Sequence, residues 1–207
     1  MKNNEKIAIK VSVISIILNC LLTLIKFISG VISKSSAMIS DSVHSLSDVL
    51  STFVVIIGVK ISNRYTERAN NLKKIKKALN IFETKIMYTY EPIPDVFLEI
   101  SKKIKGDVGK LFWDASRNMS LDFAGDAWEK SLNNSNIMLL EDDKEALRSL
   151  GKLLGSTDID GQLSQIRLVN GFLNEQIKEA IEQKDKNETM YKKLGIIVGL
   201  AVVIVLV

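Results

Sequence analysis

With one cysteine, Cys20, and one histidine, His44, this chain lacks the means for a disulfide framework, a thiolate metal cluster or a His-based catalytic set. Proline occurs only as Pro92 and Pro94, so strong helix breakers fall at a single place. Apolar and polar residues do not alternate over strand lengths, which excludes a sheet-based fold. No Gly-rich loop precedes a helix as a phosphate cradle, and no nucleophile and base recur at a recognisable spacing, so no enzyme is expected. Charge of one sign is also scarce. The net charge of +4 is modest and many Lys and Arg residues lie beside apolar segments, where the positive-inside rule places them; nucleic acid is not the expected partner.

What the chain has is helix-period hydrophobicity, unevenly spread. Residues 11–62 and 194–207 are strongly apolar, while the middle is rich in Lys, Glu, Asp and Asn. In the last stretch Leu163, Ile166, Val169, Leu173, Ile177 and Ile181 recur in steps of three and four on one helix face, and the segment runs on into the uncharged LGIIVGLAVVIVLV. The expected organisation is an amino-terminal transmembrane hairpin over 1–62, a helical bundle over 63–193 and a carboxy-terminal membrane anchor over 194–207. The tail is short for a ~30 Å hydrocarbon core, but Lys192 and Lys193 can snorkel to the interface.

Val11–Ser33 and Ala37–Ile61 each reach the ~20 residues that cross a bilayer, joined by the short GVISKSS linker. The first of them is too long for the apolar core of a signal peptide and is expected to be retained. With Lys2, Lys6 and Lys10 in the cytosol, the second helix returns there beside Arg64, Arg68, Lys73 and Lys74, so the middle domain is expected to be cytosolic. In SDSVHSLSDVLST, Asp41, His44 and Asp48 share one face of that second helix. Ionisable groups at this depth cost at least ~2.5 kcal/mol each and usually pair or line a polar path. A divalent cation such as zinc is the one cofactor they suggest, and they form an incomplete half-site, because a closed zinc site needs ~4 ligands.

In the middle domain, Leu72, Ile75, Leu79, Phe82 and Ile86 mark one amphipathic helix over Arg64–Tyr90, with LKKIKK as its solvated face. The EPIPD segment ends it. Val96, Phe97, Ile100 and Ile104 mark the next helix, and Gly106 stops that one with Asp107 as a cap. Val108, Leu111, Phe112, Ala115 and Met119 are expected to point inward on a third. Ser120 is expected to cap a fourth that buries Phe123, Ala127, Trp128 and Leu132, with both Trp113 and Trp128 in the core. A fifth helix over Glu141–Leu154 ends at Gly155 in a left-handed cap, and Ser156–Asp158 caps the last. The fold class is therefore all-α, an antiparallel bundle of five or six helices beside membrane helices.

Two resemblances follow from these residues. Asn19, Lys26 and Gly30, with SSAMISDSVHSLSDVLSTFVVIIGVKIS, make residues 10–62 resemble the first two membrane helices of the cation diffusion facilitators. His44 and Asp48 match that family's metal pair and Asp41 its preceding acid. The remaining membrane helices, the second metal pair and the cytosolic domain of that family have no counterpart here. The half-site is then either a relic in a borrowed anchor or a site shared by two hairpins.

The second resemblance covers residues 63–207 and is to stage III sporulation protein AB. It is carried by LKKIKKALNIFETKIMYTYEPIPDVF, by LRSLGKLLGSTDIDGQLSQIRL through Leu150, Gly151, Leu154, Gly155, Asp158 and Gln162, and by the apolar tail. It implies a non-enzymatic membrane component of a sporulation channel or secretion-like complex between mother cell and forespore. Its helical domain is similar to the cytosolic domains of the type II secretion platform protein, and it would dock a cytosolic secretion-type ATPase. Implied partners are the membrane, other sporulation-complex proteins and further copies of the chain as a homo-oligomer. The implied location is the cell membrane with the soluble domain on the mother-cell side. The alternative is a fragment of a divalent-cation (zinc, manganese or iron) efflux transporter fused to a helical domain.

Overall fold

A computed structural model of the chain describes residues 2–206, and among these every regular element is a helix: α1 (Lys2–Ile32), α2 (Ser36–Tyr88), α3 (Ile93–Lys103), α4 (Asp107–Asn118), α5 (Ala124–Asn133), α6 (Glu141–Leu153) and α7 (Ile159–Leu206). The side chains of Lys2, Lys6 and Lys10, which carry the orientation argument, and the last residue of the tail, Val207, lie outside the described residues. The described residues form two compact units. One comprises the chain up to Asn63 together with the segment from Gln183 onward, and the other is Arg64–Glu182.

In the first unit Val13–Ile32 and a stretch of α2 are long and apolar enough to cross a membrane. Their turn is made by Lys34 at φ +52, with the Ser35 N–H donating to Gly30 O (3.0 Å). The buried positions of the hairpin are mostly small or polar, with Thr23 and Gly30 on α1 and Ser42 and Ser47 on α2, beside the apolar Val49. A Cβ on Gly30 would stand 3.0 Å from the Ile39 backbone nitrogen, so glycine is what lets the two backbones approach. The hydroxyls of Thr23 and Ser42 donate to Asn19 O (2.7 Å) and Ile39 O (2.6 Å), which satisfies them without a partner helix. The end of α7 lies antiparallel on α2. A Cβ on Gly58 would fall 2.3 Å from Tyr191 Cβ, and one on Gly195 would fall 3.2 Å from Val55 Cγ2.

The second unit is the six-segment bundle. The stripe Leu72, Ile75, Leu79, Phe82 and Ile86 is buried as its period requires. At the centre Phe97 meets Phe82, Phe112 and Trp128 edge-on, with ring centroids 5.1, 5.0 and 5.6 Å away. The first and last segments pair antiparallel through a polar ladder. Lys76 donates to Asn174, Asn170 Nδ2 donates to Asn80 Oδ1 (3.0 Å), and Arg167 Nε donates to Glu83 Oε1 (2.7 Å). Each rung rises along α2 as it falls along α7, so the ladder fixes one register for an apolar interface that would tolerate others.

Several details depart from the sequence expectation, among them Ile181, exposed at the end of the α7 stripe, and Ser120, whose hydroxyl donates to Arg117 O and does not cap α5. Helix α2 runs through residues 61–64 without a break, because the change there is in composition only and no Pro or Gly interrupts it. Phe123 is 86% exposed, since α5 begins one residue later and leaves it as the N-cap. Trp113 is 41% exposed under the Arg117 guanidinium, 4.9 Å from its ring centroid, as a cation–π pair and not a core residue. Gly106, at φ +87, caps α4 in place of Asp107, which opens the helix.

Candidate functional site

The polar stripe of the hairpin sits on the outer side of α2, with Asp41, His44 and Asp48 all exposed. Lys26, one helix away, donates from Nζ to Asp41 Oδ2 at 2.9 Å and reaches Ser45 Oγ at 3.4 Å. Lys26 thus pairs with Asp41, and Gly30 lets the two helices come close enough for it to do so. Among the described residues no three His, Cys, Asp or Glu side chains stand where they could hold one metal ion. A cation at Asp41 would have to displace an ammonium already there.

The bundle carries its own buried charge. Arg68 donates from Nε to Asp143 Oδ2 (2.8 Å) and from Nη2 to Asp143 Oδ1 (2.9 Å), and Nη2 also reaches Gln176 Oε1. Asp143 Oδ2 accepts the Leu140 N–H as well (2.8 Å), closing the first turn of α6. The bond to Asp143 pushes the Arg68 pKa up against the opposing effect of burial, with Glu179 adding in the same direction, so the guanidinium stays charged. Arg68 stands one step before Leu72 on the apolar stripe. That position was the available signal, because a charged residue in a buried register demands a buried partner.

The LGKLLGSTD corner is built by close packing and by helix caps. A Cβ on Gly151 would lie 2.6 Å from Trp128 Cδ1, so the glycine makes room for the indole, whose Nε1 donates to Leu147 O (2.7 Å). Gly155 adopts φ +71 beyond the end of α6. Asp158 Oδ1 accepts the Gly161 N–H (2.8 Å) and caps α7, and Gln162 Nε2 donates to Thr157 O (3.2 Å). Gly151, Gly155, Asp158 and Gln162 of that signature thus shape the turn.

Two surfaces remain for partners. On α2 the side chains of Lys73, Lys74 and Lys77 are exposed, while Lys76 is half-buried and engaged with Asn174. At the other end of α2, Lys85 pairs with Glu91 (2.9 Å) and Glu99 (2.7 Å). Glu99 also takes Lys103 (2.6 Å) and, through Lys103 first and Lys85 second, has its pKa lowered to about 2. These ion pairs are open to solvent and tie α2 to α3 only weakly. Beyond them Tyr88 and Tyr90 are exposed, and on the neighbouring α4–α5 turn so are Leu121 and Phe123.

The family model for stage III sporulation protein AB matches residues 49–207, and that for the cation efflux transmembrane domain matches residues 12–70. The two overlap over 49–70, within the uninterrupted α2. Stage III sporulation protein AB of Bacillus subtilis is 31% identical over 153 residues, 72% of this chain and 90% of that protein. A solved structure of stage III sporulation protein AB superposes with a TM-score of 0.55 at 27% identity, covering 58% of this chain and 98% of the other. An uncharacterized transporter of Methanocaldococcus jannaschii is 50% identical over 52 residues, which are 25% of this chain and 18% of the transporter.

Proposed function

The chain belongs to the stage III sporulation protein AB family, and from that premise we propose that it is a non-enzymatic membrane component of a sporulation channel or secretion-like complex between mother cell and forespore. In this reading the bundle sits in the cytosol on the mother-cell side and is a docking platform for a secretion-type ATPase. One observation supports a platform above all: Lys73, Lys74 and Lys77 form an exposed row on the outer face of α2 and make no ion pair among the described residues. Such a row attracts an acidic partner surface and speeds its encounter. Reversing these three to Glu is expected to lower capture of the ATPase about ten-fold or more, and to leave the helical circular dichroism signal unchanged. Lys76 is kept because it holds Asn174. Undiminished capture would reject this surface.

The membrane part is read as an anchor, with α1, the start of α2 and the end of α7 as its three crossings. The seating of Gly195 on Val55 and of Tyr191 on Gly58 supports the tail as one of them. Deleting residues 194–207 from a chain that also lacks 1–62 is expected to move the protein from the membrane pellet to the supernatant. If the longer form is already in the supernatant of a detergent-free lysate, the tail is no anchor. The alternative, a fragment of a divalent-cation transporter, would have to draw its missing ligands from elsewhere and release Asp41 from Lys26.

A further inference from the structure

We infer that the end of the bundle where α2 stops and α7 starts is a two-fold self-association surface, on which the α4–α5 turn of one copy enters a cleft of a second. The starting point is the turn itself. Leu121 and Phe123 are 85% and 86% exposed, yet neither is on a loose loop. The N–H groups of Leu121 and Asp122 both donate to Asn118 O (3.0 and 2.9 Å), Phe123 O accepts the Ala127 N–H (2.9 Å), and Lys130 holds Asp122 (3.2 Å). The backbone that carries two large apolar side chains is therefore already ordered, which lowers the cost of docking them.

Beside them is a cleft of about 430 Å³. Phe123 itself lines it with Ala124, Leu154 and Gly155, and its charged lining is Asp126 and Glu129 of α5 on one wall and Arg148 and Lys152 of α6 on the other. Arg148 is held by Glu141 (2.7 Å) and Asn133 (3.3 Å). Asp126 and Lys152 are exposed, and among the described residues neither makes an ion pair. Within the bundle the cleft lies at the end away from Arg64 and Glu182, where the chain enters and leaves.

The charges choose the occupant. An acidic ligand would be repelled by one wall and a basic ligand by the other. A second copy turned about a two-fold axis meets both walls correctly, its Lys152 on Asp126 and its Asp126 on Lys152, while the Phe123 that lines each cleft meets the apolar lining of the other. The surface is separate from the Lys73, Lys74 and Lys77 row proposed for the ATPase, so each can fail without the other.

The test uses the full-length chain in detergent, with Cys20→Ser as background. Asp126→Cys is made in one tagged copy and Lys152→Cys in a second copy with a different tag. Mixing the two under mild oxidation is expected to give a disulfide-linked dimer carrying both tags, and Phe123→Ser in both copies should cut its yield about ten-fold. With cysteines absent, Lys152→Glu should reduce the dimer fraction seen by sedimentation, and Lys152→Glu combined with Asp126→Lys should restore it. Absence of the mixed-tag dimer overturns the proposal. So does a single reversal that leaves self-association intact, or one that abolishes ATPase capture without changing it, which would assign the cleft to a different protein.

Discussion

Replacing Asp143 with alanine is expected to cost the bundle about 3–5 kcal/mol, because it leaves the Arg68 guanidinium buried beside Gln176 without its counter-charge. The same change removes the acceptor for the Leu140 N–H at the start of α6. Against a total of about 5–15 kcal/mol for a domain of this kind, that is a large share. Urea unfolding of residues 64–190 measures it. Arg68→Met together with Asp143→Leu should lose far less than the single change, since no charge is then stranded in the interior. If the single and double substitutions unfold at the same urea concentration, the pair does not hold the helices as described.

Trp128→Ala should be comparably damaging, at about 3–5 kcal/mol, since it empties the space against Phe97 and Phe112 and strands a bonded carbonyl at Leu147. Trp128→Phe, which keeps most of the ring volume and loses the Nε1 bond, should cost about 1 kcal/mol for the hydrogen bond plus a small cavity. Gly151 provides the internal control. In the parent, Gly151→Ala drives a Cβ to 2.6 Å from the indole and is expected to destabilise by roughly 1–3 kcal/mol through overpacking. In the Trp128→Ala background the obstacle is gone, so the added methyl should be neutral or stabilising. Denaturation of the four proteins gives the coupling directly, and simple additivity would show that the glycine does not serve the tryptophan.

Periodicity carried the bundle a long way. The stripes on α2, α3 and α6 are buried where the three-and-four spacing puts them, as are those on α4 and α7 up to half-buried Met119 and Ile177, while Ile181 is exposed; the cap at Gly155 and the start at Asp158 follow from local backbone chemistry. What periodicity cannot give is which side of a helix start a residue falls on. Phe123 and Trp113 are apolar by type, and only the frame of α5 and the neighbouring Arg117 place them outside. Pairings between distant helices were equally out of reach. Lys26 with Asp41 and Arg68 with Asp143 join segments 15 and 75 residues apart, and nothing local to either partner names the other. The composition shift near residue 62 suggested a junction between elements, yet helix continuity depends on propensity and breakers, and α2 has none there.

The polar ladder between α2 and α7 sets the order in which the protein can fold. Glu83 waits for Arg167, 84 residues later, and at a synthesis rate of about 5–20 residues per second that delay is on the order of 4–17 s. For that interval the emerging chain presents the Leu72–Phe82 face with no last helix to cover it, and α3 to α6 can close only part of it. Closure of the bundle is thereby a late event of high contact order, coincident with delivery of the tail, and a nascent chain stalled before Ile159 stays exposed to proteases and aggregation.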